Sequence, residues 1–336
     1  MSTSVAPLSP WRRSLGLGLG LAAVVTLILL AFAWPAVTSS IARLPLAIVG
    51  PEAAVTAVET AFDDTQPGVF EFTAVADRAA AVHLIEHREA YGAIVLGADP
   101  EVLTASAAST VVSSALNNVA TALQSQAAGA TVAVTDVVPL ASTDPRGAGL
   151  TAAAFPLTLG GMLGGIIVSL MIVGAMRRVA AILGYSVIGA FALAAVMQGW
   201  FGALQGDYLA NAAAIGLTIL AISAPIVGLA SLIGRAGIAF GPVVFLLFAN
   251  PISSATTPME ALPGSWGAIG QFFPPGAGFT LLRDLSYFPN ADNLGQSWAV
   301  VAIWAAAGLL LAVAGHFRRA FAPTPQAVAD AFPAAA

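Results

Sequence analysis

The sequence predicts an α-helical polytopic membrane protein, with six transmembrane helices and a small extracytoplasmic α/β domain between the first and the second. Three observations predict it. The 336 residues are 58% hydrophobic and only 9% charged, with a mean hydropathy of +0.88, whereas a soluble domain carries roughly a quarter charged residues. Six stretches are apolar enough to serve as spans of about 20 residues. The charges are also sorted by sign along the chain, which is how a membrane separates them.

The elements follow in order. Residues 1–34 hold a short cytoplasmic N-terminus and the first span, 15–34. Residues 35–149 form the outside domain. Residues 150–319 form a five-helix membrane domain with spans at 150–176, 179–200, 209–233, 237–249 with its flanks, and 297–316. Residues 320–336 are a cytoplasmic tail. When the spans alternate, Arg12/Arg13, Arg177/Arg178, Arg235 and Arg318/Arg319 all fall on one side, the cytoplasmic side by the positive-inside rule. Of the 17 acidic residues, only Asp330 falls with them. Both termini are therefore expected in the cytoplasm. All 12 basic residues are Arg, which with the wealth of Ala, Gly and Val looks like a high-GC bacterial genome, so the membrane is expected to be a bacterial plasma membrane. Ala31-Phe32-Ala33 behind Arg12-Arg13 also resembles a signal-peptide cleavage site. The apolar run, about 19 residues, exceeds the 7–15 of such a region, so a retained helix is expected.

Residues 35–149 alternate between strand and helix patterns. Residues 46–49 read as a strand, and 51–62 as a helix behind Pro51. Residues 69–75 read as a strand, and 76–89 as an amphipathic helix opened by Asp77. Residues 91–96 read as a strand ended by Gly97-Ala98-Asp99-Pro100. A long helix is expected over 101–126, then a strand over 131–138. Such alternation predicts a small α/β unit. A turn-rich hinge, 142–147, leads into the membrane.

Several chemistries are excluded or disfavoured. There is no Cys, hence no disulfide or thiolate metal site. Without Lys there is no Walker A lysine, so the chain itself is not a P-loop ATPase. His83-Leu84-Ile85-Glu86-His87 spells H-x-x-E-H, which on a helix puts two imidazoles on one face. Catalytic zinc usually takes three protein ligands, and no third is evident, so these read as solvated helix residues. No catalytic constellation, cofactor site or nucleic-acid partner is expected. The deepest polar groups of the spans are neutral: Thr158, Ser169, Gln198, Asn211, Ser223 and Ser231. A carrier that drove itself would need a buried titratable group.

Candidate helix-packing residues are the G-x-x-x-G pairs Gly160/Gly164, Gly161/Gly165 and Gly237/Gly241, with Gly16/Gly20 on the first span. Such pairs let backbones approach, within the chain or across a homodimer. Pro225 and Pro242 are expected to kink their spans. The link 250–296 is too apolar for a plain loop. It reads as two short amphipathic helices broken by prolines, either re-entrant or interfacial, with Trp266, Phe272 and Phe273 at headgroup level.

The order of one span, an outside α/β domain and five further spans resembles the ABC-2-type transporter permeases, particularly their YhgE/Pip-like members. So does the run Asn250-Pro251, Pro258-Met259-Glu260-Ala261-Leu262-Pro263, Phe273-Pro274-Pro275 and Leu282-Arg283, and so does Glu89-Ala90-Tyr91-Gly92-Ala93-Ile94-Val95-Leu96. The resemblance implies a permease subunit, usually homodimeric, moving a lipidic or amphipathic substrate with energy from a separate cytoplasmic ATPase. Candidate pathway or gating residues are then Pro225, Pro242, Pro258, Glu260, Pro263, Pro274 and Arg283. A non-transporting scaffold or surface receptor acting through residues 35–149 is the alternative.

Overall fold

The computed structural model describes residues 10–126 and 131–320; residues 1–9 and the expected tail from 321 on, Asp330 included, lie outside them. Helix α1 (Trp11–Thr38) is apolar on every side, as a helix facing lipid must be, and most of its length is exposed. Its last turns touch the remainder of the protein, Phe32 against Phe155 and Trp34 against Trp266.

The α/β domain then runs β1 (Leu44–Val49), α2 (Glu52–Thr65), β2 (Phe70–Val75), α3 (Arg78–Glu86), β3 (Gly92–Val95), β4 (Glu101–Thr104), α4 (Thr110–Gln126) and β5 (Ala133–Asp136). The sheet order is β2-β1-β3-β4-β5, with β1 parallel to both neighbours, β3 antiparallel to β4 and β4 parallel to β5. Right-handed crossovers on either side of β1 put α2 and α3 on opposite faces of the sheet. Phe62 and Val55 of α2 meet Ile48 and Ile94 on one face. Ala81 and Ile85 of α3 join the larger core. Asp77 caps α3 by accepting from the Ala80 amide at 2.8 Å, which satisfies an otherwise orphaned donor.

One expected element differs. Residues 101–126 are not a single helix: Glu101–Thr104 is a strand, and the helix starts only at Thr110. Gly97 to Pro100 makes the turn of a β3–β4 hairpin, and Val102 and Leu103 are fully buried. Ladder pairing on both sides of β4 overrides its continuity with the helix behind it.

The helical part comprises α5 (Ala148–Met171), α6 (Ala175–Ala194, prolonged by a π-helix, Ala195–Trp200), α7 (Tyr208–Ile233), α8 (Trp266–Gly270), α9 (Pro274–Tyr287) and α10 (Leu294–Ala320). Among the described residues, five helices are long and apolar enough to cross a membrane: Trp11–Thr38, Ala148–Met171, Ala175–Trp200, Tyr208–Ala239 and Leu294–Arg318. The protein is thus a helical membrane protein carrying a small mixed sheet. Helix α7 is the hub, buried along most of its length between α5, α6 and α10.

The stretch expected as a span at 237–249 is instead a 3₁₀ segment, Gly234–Ala239, followed by a nine-residue π-helix, Gly241–Ala249. Gly234, Gly237, Gly241 and Pro242 lie close together, and each weakens or interrupts α-helix. The segment doubles back along α7, with Gly237 at Leu229, Gly241 at Ile226 and Met162, and Phe245 beside Ile222. Pro242 sits in the first turn of the π-helix, where its missing N–H costs little, so it opens that element and does not kink it. Pro225 is wholly buried in α7, facing Gly308 of α10.

The two ends of the bundle differ in chemistry. At one end Arg178 donates to the Ser169 and Ile172 carbonyls at 2.8 and 2.7 Å, and Arg318 donates to the Leu232 carbonyl. Ser169 and Ser231 therefore belong to an end of the bundle rather than to its middle. At the other end Thr143 donates to the Gly202 carbonyl, and α9 meets the sheet domain.

Candidate functional site

The link between the π-helix and α10 joins the sheet domain to the bundle. It is compact because its glycines let backbone lie on backbone: a Cβ at Gly267 would collide with Met259, at Gly270 with the Ile252 carbonyl, and at Gly276 with the Gly270 carbonyl. Ser254 stands at φ +55, a left-handed conformation uncommon for a non-glycine residue. Pro258 precedes a 3₁₀ turn, Met259–Ala261, and Pro274 and Pro275 open α9. Most of α9 is buried, with Gly278 against Thr218 of α7. Irregular backbone next to a bilayer needs such shielding by protein. Of the expected headgroup anchors, Phe272 is exposed. Trp266 and Phe273 are half-buried in an aromatic row that includes Phe248 and Trp304.

Charged groups concentrate where the link meets the sheet domain. Arg88, at φ +63 just after α3, donates to Asp284 of α9 at 2.7 Å. Tyr91 donates to Glu260 at 2.9 Å. Arg283 donates to the Ala108 carbonyl of the domain at 3.4 Å and to the Ala255 carbonyl of the link at 3.2 Å, and it lies 4.9 Å from the Phe279 ring centroid. Burial opposes charge on Arg88, but Asp284, Tyr91 and Glu260 outweigh it and hold the guanidinium above the usual arginine value. Burial, helped by Arg88, pushes Arg283 down to about 10. Burial and the Glu260 carboxylate push the Tyr91 phenol up. Asp284 Oδ2 has no hydrogen-bond partner.

Three cavities surround this junction. One of about 380 Å³ lies between the end of α1, the start of α5 and residues 250–257. Phe32, Pro35 and Phe155 form an apolar side, and Ser39, Thr151 and Thr256 are among its hydroxyls. The buried Ser254 Oγ, without a partner, lines it too. A smaller one adjoins it, sharing Thr151, Thr256 and Thr257, and is lined by Arg146 and Arg283. The third, about 480 Å³, lies under the sheet between Arg43, Glu71 and the turn holding Glu260 and Pro263.

Of the residues expected to line a path, Glu260 and Pro263 come together at the third cavity, and Arg283 faces the second. Pro274 is buried at the start of α9, while Pro225 and Pro242 lie within the bundle, lining none of the three cavities. The candidate packing glycines have partners inside the chain: Gly160 and Gly164 meet Tyr185 of α6, and Gly161 and Gly165 meet Ile222, Ser223 and Ile226 of α7. Gly16 and Gly20 of α1 meet nothing within 4 Å. His83 and His87 stack at 4.0 Å, and His87 Nδ1 lies 2.9 Å from Asp292. Among the described residues no group of three potential metal ligands converges.

Arg88, Asp284, Arg146 and Ser254 escaped sequence reasoning. One signal was present: Asp284 is an acidic residue in a short helix that is otherwise mostly apolar, where a charge requires a partner. No protein family, curated protein or solved structure matches the chain.

Proposed function

We propose that this chain is the membrane-spanning permease subunit of an ABC-2-type exporter, moving a lipidic or amphipathic substrate with energy from a separate cytoplasmic ATPase. The observation that carries the reading is the cavity of about 380 Å³ on the flank of the bundle, apolar at Phe32 and Phe155 and hydroxyl-lined at Thr151, Ser253 and Thr256. A site of that composition suits the boundary between the tail and the headgroup of an amphiphile. In this reading Gly234–Ala249 is a sixth crossing, supported by its antiparallel course along α7. Both termini lie in the cytoplasm of a bacterial plasma membrane, and the sheet domain lies outside. The clustering of Arg177, Arg178, Arg235 and Arg318 at the bundle end away from the sheet supports that orientation. A homodimer is part of the proposal, since α1 leaves its apolar surface and the Gly16/Gly20 pair without partners in the monomer.

The test is purification of the intact protein from its host membrane with mass spectrometry of its partners, then reconstitution with the recovered ATPase and a fluorescent lipid. ATP-dependent movement of the lipid supports the permease. If no ATPase co-purifies and no lipid moves, the reading fails.

One observation favours a second reading. The turn between α5 and α6 comprises only residues 172–174, leaving little surface to receive an ATPase. A non-transporting scaffold or surface receptor would then act through the sheet domain. Cross-linking of the intact protein in its own membrane would recover an envelope partner attached to residues 35–149.

A further inference from the structure

Two of the cavities at the junction adjoin, and their combined lining has a marked charge asymmetry. No Asp or Glu lines either one, whereas Arg146 and Arg283 both line the smaller. Among the described residues neither arginine pairs with a carboxylate within salt-bridge distance. The nearest carboxylates make their direct contacts elsewhere, Asp284 Oδ1 with Arg88 and Glu260 with the Tyr91 hydroxyl, while Asp284 Oδ2 has no hydrogen-bond partner. Arg283 rests on two carbonyls and an aromatic ring, so this desolvated guanidinium has no carboxylate in direct contact, Asp284 acting on it only from a distance. A buried charge in that position is costly until an anion neutralises it. Its depressed pKa, pushed down to about 10 by burial and by Arg88, has the same origin. The orphaned Ser254 Oγ supplies a polar group awaiting a partner on the wall of the larger cavity.

We infer that the adjoining cavities form a binding site for an anionic amphiphile. Its phosphate-type headgroup lies against Arg146 and Arg283 and the hydroxyls of Thr151, Thr256 and Thr257. Its acyl chain leaves past Phe32 and Phe155 into the bilayer beside α1. Guanidinium groups suit this role because their planar donors match phosphate oxygens two at a time. The inference rests on the reading of the chain as one that handles an amphiphile, and it adds the sign of the headgroup charge.

The chain has no cysteine, so Ala36→Cys and Ser39→Cys, each labelled with bimane, report from the wall of the larger cavity without replacing any group assigned to the headgroup. The full-length labelled protein is placed in nanodiscs of phosphatidylcholine alone, of phosphatidylcholine with phosphatidylglycerol, or of phosphatidylcholine with glycerol phosphate free in solution. Phosphatidylglycerol is expected to shift the emission saturably at both positions while the other two leave it unchanged. Arg146→Gln, an exposed position away from the buried ion pair, should weaken that response about tenfold, near the 1.4 kcal/mol of one charge-assisted contact. An equal response to phosphatidylcholine overturns the charge selectivity while leaving an amphiphile site in place. An equal response to soluble glycerol phosphate overturns the amphiphile and leaves an anion site. Silence in every arm removes the site altogether, whatever the transport assay with the ATPase shows.

Discussion

Arg88 and Asp284, 196 positions apart, form an ion pair of 2.7 Å between the sheet domain and α9, with the Asp284 side chain fully shielded from solvent. Removing one partner of such a pair costs about 3–5 kcal/mol, because the other charge stays buried alone, while replacing both by apolar groups is often nearly neutral. Asp284→Ala should therefore lower the thermal unfolding midpoint of the purified protein sharply, and Arg88→Met/Asp284→Leu should recover most of the loss. If the double variant is no better than either single one, the pair does not couple the two parts.

The end of α5 supplies a second case. Arg178 donates to two carbonyls of its last turn and lies 3.5 Å from the Ser231 hydroxyl, and a cation there satisfies acceptors that the helix cannot. Arg178→Gln should destabilise the protein by about 1–2 kcal/mol. Arg177→Gln, at the exposed neighbouring position, should change the midpoint little, and equal effects from the two would contradict the capping role.

Helix packing gives a third expectation. Without a hydrophobic force between helices in lipid, close contact between small residues holds them together. A Cβ on Gly228 would strike the Gly308 carbonyl, and one on Gly308 would strike the backbone of α7 at Ala224 and Pro225. Gly308→Val should abolish most of the monodisperse protein seen on size exclusion. Gly18→Val, which meets nothing within 4 Å in the monomer, should leave the fold of the protomer intact.

The sheet domain has a pH-dependent contact at the start of β4. Arg78 bonds Glu101 at 2.7 Å and Thr135 adds a second donor at 2.5 Å, and together they hold the Glu101 carboxyl below its usual value. The unfolded chain then binds the proton more readily, so the stabilisation is complete above the ordinary glutamate value and disappears as pH falls through the lower folded value. Half of the Arg78 side chain is exposed, so solvent screens the pair and the effect is small. Hydrogen exchange of β4 amides between pH 5 and 3 should show protection falling in the parent protein and less so in Glu101→Gln.

Much of this architecture was legible in the sequence because bilayer and sheet impose strong periodic demands. A long apolar run with arginines at its end has few alternatives to a span, and Asp77 before an Ala-rich stretch is a local cap signal. What was hidden depends on distance along the chain. Strand β4 owes its conformation to partners on both sides, so the four residues before a helical pattern merged into it. Arg88 gave no local sign of its role within the helix expected over 76–89, because its partner lies in α9. The 3₁₀ and π segments at 234–249 were hidden for another reason, since hydropathy measures apolar length and is blind to how Gly and Pro alter the helical repeat. For the candidate site, the link prolines and Glu260 stood out as sequence features, but the cavity walls combine residues from three separate stretches of the chain.

Phe288 and Ala291, next to the pair-forming end of α9, are buried within the core of the sheet domain. That gives the order of synthesis a consequence. All five strands of the sheet domain leave the ribosome before these two residues do, so until then its core lacks part of its packing. The core is complete only once the chain through Ala291 is in place. A chain arrested or truncated before residue 288 would carry an exposed apolar seam, the kind of surface that chaperones and proteases recognise.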